Sequence, residues 1–221
     1  MRKTIFAPGE FYHLCGRGNE KQILFLDVRD YVRFLFLILY FQSPVIIYNI
    51  GRSVSYFIKY KKFNLASKTK NNILKKRSVE LVSFSIMPNH FHLIVNELQE
   101  YGISQYMQRV LMAYAKYFNE KYKKSGHVFQ GPFRAINIED NEQLLYTSAY
   151  IHRNSREIKK WKDKEHLYPW SSYQDFLGEN RWDEFLKTEI ILEQCGGSEG
   201  CKKLVDDSGA KEYEVELLSS D

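Results

Sequence analysis

The sequence predicts an α+β fold of the split βαβ, ferredoxin-like kind: an antiparallel sheet built from the element order β-α-β-β-α-β, followed by a further helix. Three observations point there: short aromatic or β-branched runs bounded by turn residues, long apolar stretches at helical spacing between them, and one tight hairpin signal mid-chain. Such a sheet carries its helices on one face and leaves the other free for a ligand.

Each element has its own signal. Phe11 to Gly16 is a short aromatic strand closed by the turn residues Gly16-Arg17-Gly18-Asn19. Asp27 is placed to cap a long apolar helix over roughly 28–41. Val79 to Ile86 alternates Val79 and Leu81 against Glu80 and Ser83, Met87-Pro88-Asn89 supplies a turn, and His90 to Val95 returns as the second arm of a hairpin. Ser104 is the expected cap of the next helix, in which Met107, Leu111, Tyr114 and Phe118 recur at helical spacing and Gly126 follows the end. Phe133 to Ile138 is the last strand. Asp140 with Gln143 three residues on starts a helix that runs to about Asn154.

Length and composition narrow the class of molecule. The 221 residues suffice for one domain plus an extension, and 44% apolar with 27% charged residues is a globular balance that excludes a disordered or collagenous chain. The longest apolar run, Phe34 to Phe41, is eight residues where a membrane span needs about 20, and Ile5-Phe6-Ala7 is too short for a signal peptide. Cys15, Cys195 and Cys201 form neither a disulfide framework nor a zinc spacing, so the expected setting is a reducing cytoplasm with no membrane contact.

The net charge of +5 conceals an asymmetry. Up to Gly178 there are 27 basic and 15 acidic residues, +12, and after it 5 basic and 12 acidic, −7. The boundary drawn there separates a domain over 1–178, with a basic insertion at about 44–78, from an acidic helical extension over 179–221. Within the insertion Lys59, Lys61, Lys62, Lys68, Lys70, Lys75, Lys76 and Arg77 occur with no acidic residue among them. This tract reads either as a polyanion contact, with Lys61 and Lys62 as candidates, or as a solvated loop.

Two constellations could carry chemistry. In a strand His90 and His92 project to one side and Phe91 to the other, and two imidazoles side by side can chelate a divalent ion. An isolated pair of this kind reads equally as polar surface, but this one opens the second strand of a hairpin in mid-sheet. A metallo-hydrolase of the H-x-H-x-D-H kind is disfavoured, because Leu93, Ile94 and Val95 follow the pair and give no further ligands. On the last helix Tyr146, Tyr150 and Asn154 are spaced i, i+4, i+8 and share a face, so Asn154 could lend a carbonyl oxygen to the same ion and bring Tyr150 near it.

Around His90-Phe91-His92 and the preceding Met87-Pro88-Asn89, the sequence resembles the HUH single-strand DNA transposases with one catalytic tyrosine, and most of all their REP-associated branch. The likeness runs from about Phe11 to Leu177 through Arg17-Gly18-Asn19, Tyr117-Phe118-Asn119, Gly126-His127-Val128-Phe129-Gln130-Gly131, Phe133-Arg134, Tyr150-Ile151-His152-Arg153-Asn154 and Pro169-Trp170-Ser171-Ser172-Tyr173. Pro132 replaces the usual arginine, Ser155 stands where proline is common, and 44–78 is longer than the family leads one to expect. The resemblance implies that His90 and His92 hold Mg²⁺ or Mn²⁺ with Asn154 as the third polar residue. It further implies that Tyr150 is the nucleophile, and that the partner is single-stranded DNA with a folded hairpin.

Arg17, Asn19 and Arg134 are then candidate DNA contacts, while Trp170 is expected to pack and His127 and His152 could face the substrate. Rival readings are a catalytically silent DNA- or RNA-binding regulator and an RNA-binding sheet. The latter requires paired aromatics where this chain has two histidines. The active form would be a monomer, or a homodimer that exchanges its tyrosine helix.

Overall fold

Alternation in the first strand, β1 (Phe11–Arg17), sends Tyr12 and Leu14 into one core and leaves His13, Cys15 and Arg17 on the opposite face. A computed structural model describes residues 4–207 of the chain. The other elements are α1 (Val28–Tyr40), α2 (Ile50–Tyr60), α3 (Ser67–Lys75), β2 (Val79–Met87), β3 (His90–Glu97), α4 (Gly102–Tyr122), β4 (Arg134–Ile138), α5 (Asn141–Arg153), α6 (Tyr173–Leu177), α7 (Glu189–Cys195) and α8 (Ser198–Asp207). The four strands form one antiparallel sheet in the order β2-β3-β1-β4, the split βαβ arrangement expected from the element order.

Helices α1 and α4 cover the face that carries Leu14, Phe84, Phe91, Leu93 and Val95. Asp27 caps α1 as expected, through a reciprocal box with Asp30. The start of α4 departs from expectation: the helix begins at Gly102, two residues before Ser104. Its first amides are taken by the buried carboxylate of Glu97 at the end of β3, which accepts from the Gly102 and Ile103 N–H groups at 3.1 Å each. A side chain distant from the helical pattern thus supplies the cap. Gly16 faces Phe91 across the strand pair, and a Cβ there would lie 2.6 Å from the ring, so the position requires glycine for close approach.

The second face is not left open. Helix α5 lays Leu144, Tyr150 and Ile151 over Val82, Ile94 and Ile138, and Phe176, Ile191 and Cys201 from α6, α7 and α8 extend that second core. At the end of the sheet around His90, itself half-buried, Arg17 and Arg134 are exposed. The basic insertion is not a loop either: α2 packs on α1 through Phe57 and Phe36 with ring centroids 5.5 Å apart, and α3 buries Ile73. Residues after Gly178 return to the same cores, Trp182 and Phe185 against Phe63 and Ile191 against the α5 side. Lys70 of α3 pairs there with Asp183 and Glu184. The tail residues 208–221 lie outside the described part.

Candidate metal and tyrosine site

The sheet register sets the site out in rows. Arg17 of β1 stands opposite His90 of β3, which is opposite Met87 of β2; in the next row Arg134 of β4, Cys15, His92 and Ser85 lie side by side. Antiparallel partners share a face, so Arg17 and Arg134, both exposed, flank the two histidines. Asn19, by contrast, sits in the turn beyond β1, its N–H given to the Val128 carbonyl at 2.9 Å. Lys61 and Lys62 lie past the end of α2, in the helical layer on the other side of the sheet.

Helix α5 brings the second half of the site. Asp140 caps it by accepting from the Gln143 N–H at 2.7 Å, and the buried Leu144 and Ile151 fix its rotation against the sheet. That rotation turns Tyr150 inward, 8% exposed, with its ring centroid 5.4 Å from His92 and nearly perpendicular to it. Tyr146, one turn earlier on the same face, is 40% exposed. Asn154 follows the last helical turn and places Oδ1 3.2 Å from Nε2 of His90. His90, His92, Tyr150 and Asn154, separated by up to 64 positions in the chain, therefore converge at one end of the sheet.

Two further residues orient the imidazoles. His90 Nδ1 lies 2.7 Å from Oδ1 of Asn89, the natural acceptor for an Nδ1–H, which leaves the Nε2 lone pair facing Asn154 Oδ1. Two lone-pair atoms so close call for a proton or a cation between them. His92 Nδ1 lies 2.9 Å from Nε2 of His13, which leaves Nε2 as its other ring nitrogen. The His13 Nδ1 and the neighbouring Ser85 Oγ are buried without a hydrogen-bond partner.

Burial, then His13 and His90 beside it, hold the His92 pKa well below the ordinary value, and burial brings His13 to about 4. Both rings are therefore neutral near pH 7, the form that coordinates a metal. The site also lies at the C-terminal end of α5, where the helix dipole favours a cation. Among the described residues no three His, Cys, Asp or Glu side chains gather as a metal cluster. Two imidazoles and an amide oxygen could together hold a divalent ion.

Of the two further histidines, one is held inside the protein. His152 is buried, bonded to Ser83 and Ser172 at 3.1 and 3.0 Å and stacked on Tyr173. His127 is exposed. Trp170 stacks on Tyr31 at 4.7 Å, while Ser171 and Ser172 pair with the free edge of β2. Tyr117 bonds to Asp30, and Asn119 to the Gly126 carbonyl.

The buried histidines make stability depend on pH. Burial lowers His152 to about 3 as it lowers His13 to about 4, against about 6.5 in an unfolded chain. Between those values the unfolded chain binds protons that the folded chain refuses, so stability is complete above about pH 6.5 and falls with acidification. The expected loss is about 1.4 kcal/mol per pH unit for each such histidine. Urea midpoints at pH 7.5 and 5 check this, and equal midpoints contradict it.

Comparison with known proteins agrees with the geometry. Residues 50–154 match the family described as transposase IS200 like, a stretch that holds His90, His92, Tyr150 and Asn154. No curated protein matches the chain. A solved structure of a REP-associated tyrosine transposase bound to a REP hairpin has a similar fold, with a TM-score of 0.53 at 14% identity over 82% of this chain and 87% of that one. No helix among the described residues is long and apolar enough to cross a membrane. Residues 50–154, carrying the histidine pair and the tyrosine helix, are thus the stretch in which this chain is similar to the IS200-like transposases.

Proposed function

We infer that the chain is a metal-dependent DNA strand transferase that breaks and rejoins single-stranded DNA through a 5′-phosphotyrosine on Tyr150. The observation that carries this reading is the convergence of Tyr150 on His92, ring centroids 5.4 Å apart, beside the His90–Asn154 contact. His90 and His92, through Nε2, and Asn154, through Oδ1, would hold Mg²⁺ or Mn²⁺. Such an ion, when bound, polarises the scissile phosphate and neutralises charge as the leaving oxygen departs.

The Tyr150 oxygen attacks phosphorus, the P–O bond to the 3′ oxygen breaks, and that oxygen leaves as a 3′-OH after taking up a proton. One phosphodiester is exchanged for another, so no nucleotide fuel is consumed. Attack by a second 3′-OH reverses the step and joins strands. An ordinary phenol titrates near pH 10, so deprotonation needs the positive charge nearby.

Arg17 and Arg134 on the same face would grip phosphates on either side of the scissile one. Lys61 and Lys62, with the rest of the insertion, would track DNA farther from the site. The neighbour of similar fold is bound to a REP hairpin, which supports hairpin-containing repeats as the target here.

The test is a cleavage assay on single-stranded DNA carrying a hairpin. With Mn²⁺ or Mg²⁺ the full chain should release a fragment ending in 3′-OH and retain the other as a protein adduct, and a chelator should stop the reaction. Tight binding with no cleavage under either metal would make the protein a silent binder instead.

A further inference from the structure

We propose that His13 is a positioning residue for cation binding, the acceptor that lets His92 carry its hydrogen on Nδ1 and offer Nε2 to a divalent ion. The inference rests on the metal-dependent reading above and deepens it. A neutral imidazole carries one hydrogen, so a ring that coordinates through Nε2 must carry it on Nδ1 and needs an acceptor there. For His90 that acceptor is Asn89 Oδ1, on the neighbouring turn residue. For His92 it is Nε2 of His13, 2.9 Å away and brought there by β1 from 79 positions earlier in the chain.

His13 is 3% exposed, its ring lies nearly parallel to His92 with centroids 5.1 Å apart, and its edge meets Tyr150 at 6.0 Å. The three rings form one packed unit. Their geometry leaves the pair two ways to share a hydrogen.

If His13 donates, His92 carries its proton on Nε2 and cannot coordinate, while His13 Nδ1 is a bare lone pair. If His92 donates, its Nε2 is free, and the proton of His13 sits on Nδ1. That atom is buried with no hydrogen-bond partner, so the second arrangement carries the cost of an unsatisfied N–H, about 1–3 kcal/mol. Both arrangements hold two ring protons and are neutral. The metal-free pair therefore rests in the closed arrangement and opens when Nε2 is claimed, with one proton fewer on His92 Nε2 and one more on His13 Nδ1. His13 thus sets how readily the ligand is presented, while touching neither ion nor DNA.

The experiment is a Mn²⁺ titration of the full chain without DNA, followed by the electron paramagnetic resonance of free Mn²⁺, on wild type, His13→Phe, His13→Gln and His92→Ala. Phenylalanine keeps the ring packing and removes the acceptor, so affinity should fall about 10–100-fold with an unchanged melting temperature, the usual effect of losing a partner of a ligand. Glutamine restores an acceptor and should bind close to wild type.

Wild-type affinity in His13→Phe, with binding lost in His92→Ala, overturns the inference and leaves the metal reading intact. No binding by the wild type sinks both. If the substitutions prevent folding, ¹⁵N histidine spectra of the wild type with added Mg²⁺ decide: the His13 hydrogen should move from Nε2 to Nδ1, and an unmoved hydrogen overturns the proposal.

Discussion

Replacing Tyr150 with phenylalanine is expected to abolish covalent DNA capture while fold and DNA affinity stay near wild type. The ring fills the space between α5 and the histidines, with centroids 5.4 Å from His92 and 6.0 Å from His13, and phenylalanine keeps that packing. What is lost is one oxygen, which costs about 1 kcal/mol of stability at most as a hydrogen-bonding group but is the whole nucleophile. The readout is a DNA adduct that survives SDS, with a filter-binding isotherm as control. An adduct of wild-type yield in Tyr150→Phe contradicts the assignment. A loss of both binding and adduct would show a packing role instead.

The second large effect falls on Asp30, far from the chemistry. Its carboxylate is fully buried in the first turn of α1 and gathers five donors. Oδ1 accepts from Lys121 Nζ at 2.6 Å and Tyr117 OH at 2.8 Å, and Oδ2 from Tyr122 OH at 2.6 Å and the N–H groups of Leu26 at 2.9 Å and Asp27 at 3.3 Å. One side chain therefore caps α1 and ties it to the last turns of α4, the two helices that cover one face of the sheet. Asp30→Ala leaves two phenols without their acceptor and the Lys121 ammonium with Asp27 alone, and should cost about 3–5 kcal/mol in urea unfolding. Asparagine is a poor rescue, because its NH₂ would meet donors wherever it points. A loss under 1 kcal/mol for Asp30→Ala would show that the helix pair is held by apolar packing alone.

The parts of the fold that could be read in the sequence were those with local causes. The Asp27 and Asp140 caps, the Met87-Pro88-Asn89 turn and the alternation of β1, β2 and β3 depend on residues within one or two turns of each other. Helix α2 was missed: Ile50, Val54, Phe57 and Ile58 follow helical spacing, but the lysines that follow made the segment resemble a loop. The start of α4 was not legible, because its cap comes from Glu97 on a strand rather than from a residue preceding the helix. Nor was the covered second face: Trp182, Phe185, Leu186, Ile190 and Ile191 suggest short helices packing back on the core, but which face they cover is a tertiary matter with no periodic signature.

The site divides along the same line. His90 with His92 and Tyr150 with Asn154 are two local pairs, visible as strand and helix spacings. Their meeting depends on the β3–α5 contact. His13 was passed over because one histidine in an aromatic strand has no motif, although its alternation with Cys15 and Arg17 already placed it on the ligand-facing side. The motifs Tyr117-Phe118-Asn119 and Pro169-Trp170-Ser171-Ser172-Tyr173 owe their form to structure, the first anchoring Asp30 and the second covering the edge of β2.

The central claim is that one tyrosine becomes joined to DNA, and the identity of that residue can be read directly. The adduct formed with hairpin-containing single-stranded DNA and Mn²⁺ is digested with nuclease and trypsin, and the peptide from Ala135 to Arg153 is sequenced by mass spectrometry. This peptide contains both tyrosines of the α5 face, the exposed Tyr146 and the inward Tyr150. The predicted result is a nucleotide phosphate on Tyr150 and none on Tyr146. A modified Tyr146, or an adduct mapped outside this peptide, would contradict the account.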